Sequence, residues 1–162
     1  MGSLGLLPSI RYNPGMRAWA SIKKAWPILL STLLFQLAFP PFPFGLLAFV
    51  GLAPWLVSLK GLTGKESVKS GYCFGFLFWL VQFQWVQTLT HRWTGSLPLS
   101  FVPYLVGPIL AGWYFALFAW LASKAWTRKR LWVIPLVCAG VEVVRSYFPV
   151  LAFPWEIGRA HV

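Results

Sequence analysis

Two charged side chains three residues apart, Glu142 and Arg145, sit inside an otherwise apolar run near the end of this 162-residue sequence. Spacing of i, i+3 places a carboxylate and a guanidinium on one face of a helix. At the centre of a bilayer each charge costs roughly 2.5 to 3.5 kcal/mol, so the two are expected to pair and to face the interior of a bundle. Two chemistries fit. One is a structural ion pair; the other is a polar lining for a cavity holding a substrate or a phospholipid headgroup, whose phosphate a guanidinium binds through paired hydrogen bonds. Gln82, Gln84 and Gln87 interrupt another apolar run. Gln84 and Gln87 share a helix face and are expected to hydrogen-bond to a neighbouring helix or to the charged pair. His91 beside Arg92 reads as a solvated loop histidine, and Cys73 and Cys138 read as buried small hydrophobes with nothing to activate a thiolate. The three acids, Glu66, Glu142 and Glu156, are too far apart in sequence to be assembled into a carboxylate dyad by any spacing argument. Metal-ligand spacing, a Gly-rich phosphate loop and a serine elbow are all lacking, so neither a metal nor a cofactor is expected.

The elements that must position these residues follow from composition. Apolar residues make up 58% of the sequence and charged residues 10%, against roughly 25% charged in soluble domains. The net charge of +11 comes from basic residues lying between apolar runs, which argues for a membrane and against a nucleic-acid partner. The expected fold is all-α, a multi-pass transmembrane bundle of about five helices over residues 25–39, 44–59, 71–90, 97–122 and 131–153. A basic leader, residues 1–24, precedes the helical domain of residues 25–155, and a polar tail, 156–162, follows, expected to be unmatched to that domain and artefactual. The first run is short for a roughly 30 Å hydrocarbon core unless it begins near Trp19. Pro54 is expected to kink the second helix.

Basic residues alternate between connections. The leader holds four, the stretch between the second and third runs three, and that between the fourth and fifth runs four; the remaining two connections hold none and one. The excess belongs on the cytoplasmic side, which puts the N-terminus inside. Trp19, Trp26, Trp93, Trp126 and Trp132 fall at run ends, where an interfacial aromatic belt lies.

Four stretches in order resemble the N-terminal membrane part of bacterial apolipoprotein N-acyltransferase. They are Leu37-Ala-Phe-Pro-Pro-Phe; Gly71-Tyr-Cys-Phe-Gly-Phe with Trp85-Val86; Gly95-Ser-Leu-Pro; and Glu142-Val-Val-Arg145 with Phe153-Pro-Trp155. Ala152 stands where the family has glycine before Phe-Pro-Trp. The resemblance implies an enzyme of the bacterial cytoplasmic (inner) membrane that takes an acyl chain from a phospholipid donor. The acceptor it implies is the N-terminal diacylglyceryl-cysteine of a lipoprotein. It implies no cofactor, and it implies that a cysteine nucleophile, a glutamate acid/base and a lysine reside in a nitrilase-like domain outside this sequence, leaving the fragment inactive alone. Glu142, Arg145, Pro154 and Trp155 are the substrate- or lipid-facing candidates. A transporter or channel fragment and a small membrane scaffold are the alternatives.

Overall fold

The computed structural model describes residues 14–39 and 42–147, with side chains from Ala25 onward. The first thirteen leader residues, Pro40, Pro41, Pro154, Trp155 and the 156–162 tail lie outside the described residues. The described residues form seven α-helices and no strand: α1 (Pro14–Leu37), α2 (Leu47–Gly51), α3 (Ala53–Ser58), α4 (Gly64–Gln82), α5 (Gln84–Thr94), α6 (Leu97–Thr127) and α7 (Val133–Ser146). By length and composition α6 can cross a bilayer, and Ala25–Leu37 and Leu47–Ser58 are shorter apolar helical stretches.

Several boundaries differ from those expected, each for a local reason. The first helix reaches back to Pro14 and is 24 residues long, about 36 Å, although its apolar stretch is still Ala25–Leu37. The second run is two helices meeting at Leu52 rather than one. Pro54 fits the first turn of α3, where backbone N–H groups have no partner within the helix. One of those orphans, Trp55 N–H, donates instead to Ser31 Oγ of α1 at 2.9 Å. Helix α4 starts seven residues before the expected third run because Thr63 and Glu66 form a capping box, so Lys65, Glu66 and Lys69 are helical rather than looped. The third run then breaks at Phe83, whose ring packs beside Trp79 and Gly107. The second half of that run, α5, continues through Thr94 to Gly95, a left-handed cap. His91 therefore lies in the last helical turn and is half-buried, not in a solvated loop.

The most extensive packing joins α4 to α6. They run antiparallel: Ser67 bonds Ser123, Gly71 and Gly75 face Phe115–Ala119, and Phe83 faces Gly107. A Cβ on Gly71 would stand 2.3 Å from the Phe115 carbonyl oxygen and 2.5 Å from Ala119 Cβ, so only glycine permits this approach. Small residues four apart on facing helices are the membrane solution to packing without a hydrophobic driving force. Trp55, fully buried, joins three helices at this seam. Its ring stacks on Phe74 of α4 at 4.3 Å, and its indole N–H donates to Ser70. Outside the seam large apolar side chains are uncovered, with Phe49 86% and Leu46 82% exposed. Only 39% of the most apolar stretch of α6 is buried, less than a core helix of a soluble domain requires.

Candidate functional site

Beside that seam the C-terminal halves of α1, α4 and α7 converge on a cleft of about 270 Å³. One wall is aromatic. Phe35, Phe39 and Phe115 surround Phe78, with ring centroids 5.3, 5.7 and 5.7 Å from it, and Trp79 packs edge-on against the same ring at 5.2 Å. The other wall is α7, which contributes Cys138, Glu142 and Arg145 at successive turns. Gln82 closes the polar edge from α4.

The two charged candidates are paired: Arg145 Nε donates to Glu142 Oε2 at 2.8 Å, and Nη2 approaches the same oxygen at 2.8 Å. They do not share one environment, however. The Arg145 side chain is 17% exposed and that of Glu142 59% exposed, so of the expected inward-facing pair only the guanidinium is turned in. α7 packs mainly on α6, and the carboxylate sits at the rim of the cleft.

Of the two expectations for the glutamines, a bond to a neighbouring helix and a bond to the charged pair, Gln87 meets the first. Gln84 is exposed, and Gln87 reaches Ser100 at 3.4 Å, tying α5 to α6 rather than approaching the charged pair. Gln82 lines the cleft instead, and its amide donates to Gln36 Oε1 at 2.8 Å while Gln36 Nε2 donates to the Phe78 carbonyl at 2.8 Å. Gln36 is the amide side chain in the first apolar run, the same signal that marks Gln82 in the third. Both cysteines are exposed on the bundle surface rather than buried by protein. Cys138 lines the cleft, yet among the described residues no hydrogen bond links it to a base. An apolar, aromatic pocket with one inward guanidinium is chemically suited to an acyl chain whose head carries a phosphate. Of the other candidates, Pro154 and Trp155 fall outside the described residues.

Residues 31–161 match the family model of the apolipoprotein N-acyltransferase N-terminal domain, which runs beyond Trp155, where the motif resemblance ends. The chain is 28% identical over 153 residues to apolipoprotein N-acyltransferase of Pseudomonas aeruginosa (strain LESB58), covering 85% of this chain and 28% of that protein. Against the protein of the same description from Azotobacter vinelandii the identity is 30% over 146 residues, covering 82% and 28%. Against that from Vibrio vulnificus it is 25% over 124 residues, covering 74% and 24%. The chain thus spans about a quarter of the length of these curated relatives. No solved structure matches it.

Proposed function

Since the chain belongs to the apolipoprotein N-acyltransferase N-terminal domain family, which it matches over most of its length, we propose that it is the membrane-embedded front of an enzyme that moves an acyl chain from a phospholipid to the N-terminal diacylglyceryl-cysteine of bacterial lipoproteins. The family match is the observation that carries this reading. The chain crosses the cytoplasmic membrane five times, as α1, α2 with α3, α4 with α5, α6, and α7, with the N-terminus inside. Antiparallel packing of α4 and α6 supports this, because it gathers Lys65, Lys69, Arg128, Lys129 and Arg130 at one end of the bundle and leaves Arg92 at the other. The uncovered apolar faces then meet lipid.

In this orientation the cleft opens in the outer half of the membrane. Its aromatic wall takes a phospholipid acyl chain, Arg145 holds the phosphate, and Pro154 and Trp155 are further lipid-facing candidates. Attack by a cysteine thiolate on the acyl ester belongs to the remaining length of the relatives, so this chain alone does not turn over. The test is a segment exchange. The matching segment of the Pseudomonas aeruginosa enzyme is replaced by residues 31–161 of this chain, and N-acylation of a diacylglyceryl-cysteine peptide is followed by mass spectrometry. Product from the exchanged enzyme, and none from the 162-residue chain alone, is the expected result. An exchanged enzyme that inserts into membranes at normal yield and makes no product overturns the reading.

A further inference from the structure

A second cavity lies at the opposite end of the bundle from the aromatic cleft, between the last turns of α6 and the first turns of α7. Its volume is about 200 Å³. Lys124, Arg128 and Arg130 line it at the turn, while Leu121, Val133 and Val137 line it farther along the two helices. The turn is fixed by backbone bonds. Lys129 N–H donates to the Trp126 carbonyl at 3.0 Å and Arg130 N–H to the Ala125 carbonyl at 2.9 Å, the paired bonds of a Schellman ending. The position that glycine ordinarily takes in this motif is held by Lys129, at φ 53°. A charged residue thus occupies a backbone conformation that favours glycine, in the middle of a basic turn. Lys124 Nζ rests 3.5 Å above the Trp120 ring, which holds its charge near the cavity. Among the described residues none of the three lining cations is paired with a carboxylate. Cations at the water end and aliphatic side chains toward the membrane end match the two halves of one ligand, and the apolar wall continues into exposed Leu131, Trp132 and Leu136 on the outside of the bundle.

We propose that this cavity binds an anionic glycerophospholipid of the cytoplasmic leaflet, with its phosphate among Lys124, Arg128 and Arg130 and an acyl chain along the seam of α6 and α7. Such a site is separate from the cleft that takes the acyl donor, and it anchors the α6–α7 hairpin at the inner surface. The inference rests on the five-pass, N-inside reading. The 162-residue chain, purified in a zwitterionic detergent, is titrated with dioleoylphosphatidylglycerol, dioleoylphosphatidylcholine and inorganic phosphate, and bound lipid is counted by native mass spectrometry. The same titrations are run on Arg128→Gln/Arg130→Gln and on Lys65→Gln/Lys69→Gln, which removes equal charge from the first turns of α4, and helix content by circular dichroism verifies that each variant is folded. The expected result is preferential phosphatidylglycerol binding that falls by roughly an order of magnitude in the arginine variant and persists in the lysine variant. Inorganic phosphate does not displace the lipid. Equal loss in both variants, equal binding of the two lipids, or full displacement by phosphate each overturns the proposal. Carbonate extraction of membranes from expressing cells separates the two failures: a chain extracted as soluble protein defeats the membrane reading itself, whereas a membrane-retained chain without lipid preference defeats only this site.

Discussion

Removing Glu142 and removing Arg145 are unequal perturbations, because the guanidinium is turned into the cleft and the carboxylate sits at its rim. Glu142→Gln leaves a mostly buried cation without this carboxylate, whereas Arg145→Gln leaves an anion that is already more than half exposed. We expect Glu142→Gln to lower the stability of the purified chain by about 1–2 kcal/mol, less than a fully buried pair would lose, with a smaller loss in Arg145→Gln. The double change should recover part of the loss. Thermal unfolding in detergent measures all three, and equal losses in the two single variants would show that the pair behaves as a symmetric buried bridge. In the segment-exchanged enzyme, Arg145→Gln should reduce acyl transfer more than it reduces folded yield, as the loss of a phosphate contact requires. Gln36 offers an independent check on the same cleft. A double-mutant cycle of Gln36→Leu and Gln82→Leu should give a coupling of about 0.6 kcal/mol, the usual size of an interhelical hydrogen bond in a membrane bundle. A coupling near zero would mean that their bond does not hold α1 to α4.

At the scale of elements, the α4–α6 seam depends on the absence of side chains. Gly71→Ala places a methyl within 2.3 Å of the Phe115 carbonyl oxygen and 2.5 Å of Ala119 Cβ, so the helices must separate. Gly140, in α7, has nothing within 4 Å of an added Cβ. Gly71→Ala should therefore destabilise the bundle by about 1–3 kcal/mol, as overpacking does. Gly140→Ala should be neutral or stabilising by up to about 1 kcal/mol, through helix propensity alone. Equal responses to the two substitutions would remove the case for a close-packed seam. The repeated small residues of α4 and the Pro54 break are legible in the sequence as spacing and residue type. What Trp55 does at that break is not, since the two serines it donates to, Ser31 and Ser70, lie 24 and 15 residues away.

For the whole molecule, the charge asymmetry makes a direct topological prediction. Reporter fusions after Lys65 and after Lys129 should read cytoplasmic and a fusion at Ser96 should read the outer face. A cytoplasmic signal at Ser96 would break the five-pass arrangement. The sequence by itself determined the all-helical character of the described residues, the family and the gathering of basic residues in alternate connections. These follow from composition, order and spacing, which are properties of the chain before it packs. It also placed Glu142 and Arg145 on one helix face, because a 3.6-residue period sets which side chains on a helix point together. Only the tertiary structure decided that Arg145 turns inward while Glu142 stays at the rim, that Gln82 and Gln36 serve the cleft in place of Gln84 and Gln87, that the two cysteines lie on the outside, and that three cations ring a cavity at the far end. A helical period fixes a face but not the neighbour that covers it. That neighbour depends on how each helix is rotated and where it crosses the next, which here is set by close approach at Gly71 and Gly75, and by the capping box that starts α4 at Gly64.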